Sequence, residues 1–404
     1  MILTIHFLPK TFGEEIHMLY MAQSGYQPAD IVNCANAFKK QTGITVSLQF
    51  AQYEDQYNLI QESSKLPEAK YDIILLDLIW TADFAERQII IPIPKELEIH
   101  VKKGIIPEIY RAFYYEHKLW AVPFLANFQL FYTNMDLLHK AGFSKPPDTL
   151  EEAVQMAKAA KKRGIIKYPF FDSFKKQEAL VCEYVWVVGA FGGNLTDSNN
   201  RIRLLNAPNI KALSFMVNLL KEGLMNPYSL KSEEVFAAEV FTMGDALFTT
   251  NWTFLSGLIK KSPYIISKCG RASLIPVAQS QENNSVKTST VSGFQGLSVT
   301  QNSKHKKSAW RFIQFLSSPA FQKKHLEEMS VWKTVWSDPN TMKKDPDINL
   351  KKKQILGVHN RPIHPKYRKI SSVLQEWIYK ALLGKIQPKE ALLNAQKEIN
   401  QIIR

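Results

Sequence analysis

Apolar positions follow two alternating rhythms along the first part of the chain. Ile2–Leu8 is apolar and β-leaning. Pro28–Gln41 carries Ile31, Ala35 and Phe38 at helical spacing, with Pro28 near its start and Gly43 just past its end, which predicts a helix. Ile44–Phe50 alternates as a strand, and Tyr53–Ser64 returns to the helical rhythm. Tyr71–Leu76 is a continuous apolar run of the kind buried on both faces of a parallel sheet. Strand and helix taking turns predict a layered α/β domain.

The alternation continues to the end. Strands are expected at Leu119–Phe124, Phe128–Thr133, Asp245–Trp252 and Ser292–Val299. Helices are expected at Thr149–Arg163, where Gly164 stops the run, and at Gln177–Ala190, Asn209–Glu222 and Glu233–Thr242. Three more amphipathic helices read at Ser308–Leu316, Tyr367–Leu383 and Pro388–Ile403. Gln279–Thr290 is the one long loop-like stretch, and no repeat or low-complexity linker separates domains.

Composition narrows the class. The 404 residues are 45% hydrophobic and 22% charged, ordinary for a globular protein and far from a disordered chain. The length suits two or three domains. No apolar run approaches the roughly 18–20 residues of a membrane-spanning helix. The segment Met1–Pro9 has neither a basic stretch nor a small-residue cleavage site, so it does not read as a signal peptide. That leaves a cytosolic protein or a mature form without its leader. Cys34, Cys182 and Cys269 are widely spaced and read as small buried hydrophobes.

Charge is uneven. Of 51 basic and 37 acidic residues, 21 basic and 8 acidic fall in 301–404, which therefore holds nearly all of the net +14. The clusters Lys304–Lys307 and Lys351–Lys353 lie between amphipathic segments without interleaved aromatics, so they read as solvated faces rather than a nucleic-acid surface. No dinucleotide, phosphate-loop, zinc-protease or serine-hydrolase motif occurs. The nine histidines are scattered, and His359 and His364 lack companion ligands, so neither a metal nor a cofactor is expected. Counting carboxylates leaves a glycosidase-like acid–base pair open.

Aromatics at strand ends carry more information. Asp77 to Trp80, Asn127-Phe128, Asn251 to Phe254 and Gly293-Phe294 each set a ring beside a small or polar residue. In α/β sheets ligands sit outside the carboxyl ends of strands. A flat ring beside hydrogen-bonding groups suits a sugar, whose C–H face stacks while its hydroxyls are paired.

These corners, in this order, resemble the family 1 carbohydrate-binding extracellular solute-binding proteins that feed ABC transporters, and among them the trehalose/maltose-type branch. The similar passages are Ala37–Val46, Tyr71–Ala85, Leu119–Phe124 with Phe131–Asn134, Phe241–Trp252, Ala309–Leu316 and Arg361–Tyr367. The resemblance implies a two-lobe periplasmic-binding-protein fold of type II with the ligand cleft between lobes. Lobe 1 would comprise 1–126 and 296–328, and lobe 2 would comprise 127–295 and 329–404. It implies a non-enzymatic, monomeric receptor outside the cytoplasm, in the periplasm or on the outer face of the membrane with a lipid anchor as one option, that passes a disaccharide or short oligosaccharide to a permease. Carried over by motif, Asp77 accepts from sugar hydroxyls, Trp80 walls the pocket and Asn127 reaches the ligand after the crossing. Trp252 stacks on a ring with Phe254 behind it, Gly293 and Phe294 flank the cleft, and Arg361 donates from the late loop. Tyr26, Glu234, Trp186 and Trp332 are further candidates. Two departures bear on ligand identity: the long hydrophobic segment Ile16–Tyr26, expected after the first strand, and Ser330–Val335, which lacks the usual Gly, Pro and Arg. The alternatives are a peptide, polyamine or anion in the same fold, or a carbohydrate-active enzyme.

Overall fold

A computed structural model describes residues 13–22, 25–281, 284–326 and 328–404. The expected opening strand Ile2–Leu8 lies outside the described residues. The first strand described is instead Glu15–Met21, drawn from the hydrophobic segment that the sequence reading placed after it. Its Ile16, Met18, Leu19 and Tyr20 are fully buried, which accounts for that segment's hydrophobicity.

The first sheet has five strands in the order Thr45–Ala51, Glu15–Met21, Ile73–Asp77, Gln295–Val299, Val122–Leu125. The first three run parallel, and Gln295–Val299 runs antiparallel to both neighbours. Helix Pro28–Thr42 connects the first two strands in sequence and ends on Gly43, whose φ of 77° is the left-handed cap expected of glycine. Helix Tyr53–Ser64 begins and ends where its periodicity predicted.

The second sheet is antiparallel, with Gln129–Asn134 between Phe248–Trp252 and Gly270–Ser273. Against it packs Glu178–Ala190, a helix with no amphipathic face because nearly every residue is buried. Helices Ala207–Lys221, Tyr367–Leu382 and Pro388–Ile403 complete this core.

Two passages join the sheets. The chain leaves the first sheet after Leu125 and enters the second at Gln129; it returns between Val291 and Gln295. The passages are bonded to each other: Phe128 bridges Ser292, and the Gly293 N–H donates to the Asn127 carbonyl at 2.8 Å. Later, Met329–Trp336 packs on the first lobe, with Trp332 bridged to Ile105, although the sequence reading grouped it with the second. Gln322 holds it there, accepting from Val331 N–H at 2.9 Å and Ser330 Oγ at 2.7 Å. The run Lys351–Lys353, expected as a solvated face, belongs to helix Ile348–Gln354; Lys351 is buried and ion-paired with Asp345 at 2.8 Å.

The second core also encloses two carboxyls. Asp172 accepts from Thr250 N–H at 2.7 Å, and Glu183 accepts from Gln129 Nε2 at 2.9 Å and Trp186 Nε1 at 2.6 Å. Burial pushes Asp172 up to about 7, and burial together with the Asp172 charge raises Glu183. The folded chain thus keeps protons that an unfolded chain, with carboxyl pKa values near 4, has already released. More protons bound folded than unfolded means that stability falls as pH rises through the neutral range. Melting temperature should drop between about pH 5 and pH 8, and Asp172→Asn should flatten that drop; equal slopes for both proteins would contradict the assignment.

Candidate functional site

The carboxyl end of strand Ile73–Asp77 begins the site. Asp77 caps the turn Leu78–Trp80, its Oδ1 accepting from Ile79 N–H at 3.2 Å, while Tyr53 OH donates to Oδ2 at 3.2 Å. From the other lobe comes Glu178, at the first turn of the buried helix, where the helix dipole favours a negative charge. Between them lies Arg361, only 2% exposed and two residues past the short strand Val358–His359. Its Nη1 donates to Glu178 Oε1 at 2.9 Å, and its Nη2 donates to Asp77 Oδ1 at 3.1 Å and to the Ser292 carbonyl at 3.2 Å. One guanidinium therefore ties a carboxylate of each lobe and a crossing passage together.

Helix Tyr367–Leu382 reinforces the tie. Tyr367 OH donates to Glu178 Oε1 at 2.6 Å and Ser371 Oγ to Oε2 at 2.5 Å. Arg368 of the same helix lies 3.9 Å from the centroid of Tyr57 in the first lobe, a cation–π contact across the lobes. Burial raises the Asp77 carboxyl, and the Arg361 charge works against that rise.

Trp252 ends strand Phe248–Trp252 on the opposite wall. Gly293 is required here by close approach, because a Cβ on it would meet the Trp252 ring at 2.7 Å. The indole N–H donates to Glu234 Oε1 at 3.4 Å, and burial raises that carboxyl. Asn127 Oδ1 accepts from Thr253 Oγ1 at 3.0 Å. The Cys182 thiol, on the same helix as Glu178, is buried. Burial raises it, and it also feels Arg361, Glu178, Glu234 and Asp77.

The structure therefore brings Asp77, Arg361, Asn127, Gly293, Trp252 and Glu234 together. Trp80 stands behind them, its ring 5.3 Å from Tyr53, and Phe254 begins the helix beyond Trp252 and packs against both cores. Other candidates are differently placed. Phe294 is fully buried in the first core, and only its carbonyl, accepting from Leu78 N–H at 3.1 Å, meets the Asp77 turn. Tyr26 packs among Phe124 and Phe321 in the first lobe. Trp186 is spent in the second core on Glu183. Trp332 lies against Gly104 and donates to the Ser317 carbonyl at 2.6 Å. Their hydrophobicity serves packing. Sequence reasoning passed over Tyr53, Glu178, Ser292 and Ser371. Glu178 had a signal, a carboxylate opening a helix of otherwise almost wholly apolar residues.

Residues 26–323 match the bacterial extracellular solute-binding protein family. The chain belongs to that family. Among solute-binding proteins it is similar to a Deinococcus radiodurans protein described as "Probable ABC transporter-binding protein", 25% identical over 91% of this chain and 89% of that one. Its fold is that of maltose-bound MalE3 of T. maritima, with a TM-score of 0.85 at 22% identity over 96% of this chain and 99% of that one. It is equally that of an ABC transporter solute-binding protein from Thermotoga lettingae bound with α-D-tagatose, with a TM-score of 0.84 at 21% identity, covering 97% and 100%. The solute-binding protein thus has the two-lobe architecture expected from its sequence.

Removing the guanidinium leaves two carboxylates facing each other out of water. Arg361→Met should cost about 3 kcal/mol or more in denaturant unfolding, the range for breaking a buried pair. Adding Asp77→Asn and Glu178→Gln to it should recover part of the loss. Losses that simply add would contradict an interlobe charge cluster.

Proposed function

We propose that this solute-binding protein is the receptor component of an ABC transporter, working outside the cytoplasm as a monomer. It captures a disaccharide or short oligosaccharide, of maltose or trehalose type, between its lobes and hands it to a membrane permease. The observation that carries this reading is the meeting of Trp252, an aromatic plate held against Gly293, with the Asp77–Arg361 pair at the crossing passages. Unspent polar capacity supports it: Arg361 Nε, Ser292 Oγ and Asn360 Oδ1 are buried with no hydrogen-bond partner among the described residues. Groups of that kind suit a ligand rich in hydroxyls, since leaving them unpaired costs free energy. The family and the fold support binding and release by hinge motion rather than turnover.

A second reading has its own support. Asp77 and Glu178 both bond to the one guanidinium and Glu234 meets the Trp252 indole, more carboxylates than the sequence corners suggested, and such an excess beside Trp252 also suits a polyamine.

Titration calorimetry with neutral mono-, di- and trisaccharides, and with spermidine in parallel, separates the two. A neutral disaccharide should bind, and Asp77→Ala should weaken it by about 1–3 kcal/mol. Trp252→Ala should weaken it by about tenfold or more. Spermidine binding with no response to any sugar would replace the first reading by the second; sugar binding indifferent to both substitutions would remove this site.

A further inference from the structure

A hollow of about 320 Å³ is lined by residues of both lobes, among them Thr253, whose hydroxyl donates to Asn127 Oδ1 at 3.0 Å. Lys260, Ser256 and Gly257 come from helix Phe254–Lys261, and Lys324 and Leu326 from the end of helix Pro319–Lys324 and the turn after it. Lys344, Asp345, Asp347 and Lys351 close it from the late segment. Lys351 and Asp345 neutralise each other in a buried pair at 2.8 Å. That leaves three lysines facing Asp347, and none of these four makes an ion pair among the described residues. Amines crowded into one concavity repel, and a solvated face would spread them apart. Thr253 and Ser256 add hydroxyls to the wall, and lysine serves phosphate-type groups as a mobile point charge.

We propose that this hollow binds a small multivalent oxyanion of phosphate type, at a second site separate from the Trp252–Arg361 group. Part of the basic excess in 301–404 then has a local purpose, since Lys324 and Lys344 belong to that quarter. The occupant bridges the two lobes behind the crossing passages. Thr253, whose hydroxyl oxygen lies 3.0 Å from both Asn127 Oδ1 and Glu328 Oε2, lines the hollow next to Trp252.

The test is titration calorimetry with pyrophosphate at constant ionic strength, set with sodium chloride, on the wild type and on a Lys260→Ala/Lys324→Ala variant. Both lysines are exposed, so the variant should keep the wild-type melting curve. Saturable binding to the wild type, weakened at least about tenfold in the variant, is the expected result. Lys344→Ala, measured alone as a second variant, should give a smaller loss. Absence of saturable heat in the wild type, or equal affinity in all three proteins, would overturn the proposal.

Discussion

A single buried guanidinium organises the space between the lobes. Arg361 lies where water is largely excluded, so its charge must be answered locally, and the answer comes from two carboxylates, one ending a strand of the first sheet and one opening a helix of the second core. Asp77 is fixed by a strand end and a turn, Glu178 by the start of a wholly buried helix. Neither can move far without its own element moving, so the distance between the lobes is set by the reach of Arg361. Because desolvated charges are costly unless well paired, the cluster favours one relative arrangement of the lobes over loosely related ones.

The crossing passages make this possible. They are short, they hydrogen-bond to each other, and each ends beside a site residue: Asn127 on the way out, Ser292 and Gly293 on the way back. Gly293 has no side chain because the Trp252 ring occupies that space, so the ring is pressed onto the backbone of the hinge itself. A ligand that stacks on Trp252 therefore touches the element that would bend. Under the proposed function, recognition and closure share the same atoms, which is what a receptor that must grip and then release its cargo needs.

Much of this was readable from residue order. The period-3.6 and period-2 rhythms placed most of the elements they predicted within a residue or two, because amphipathic helices and strands must each bury one face, but gave no sign of helices such as Lys95–Gly104 and Phe254–Lys261. Glu15–Met21 was misread because its Met18–Met21 half is buried on both faces and shows no alternation, and Ile16–Tyr26 therefore looked like an unusual insertion. Asp77, Asn127, Trp252 and Gly293 stood out because they sit at expected strand ends, whereas Arg361 came only from the resemblance of Arg361–Tyr367 to the family's late loop. Trp186 and Trp332 could not be sorted by the same logic. A tryptophan that fills a core and one that faces a cleft have the same local sequence, and only the partner, Glu183 or the Ser317 carbonyl, distinguishes them. Glu178 and Tyr367 act through contacts spanning nearly two hundred residues, a relation no local pattern carries.

The most direct test is a crystal structure of the protein with whichever neutral sugar raises its melting temperature most. A pyranose ring lying flat on Trp252, with hydroxyls within hydrogen-bond distance of Asp77 or Arg361, is the predicted result. A sugar seated elsewhere, with Arg361 still bonded to both Asp77 and Glu178 as in the ligand-free protein and Trp252 untouched, would contradict it.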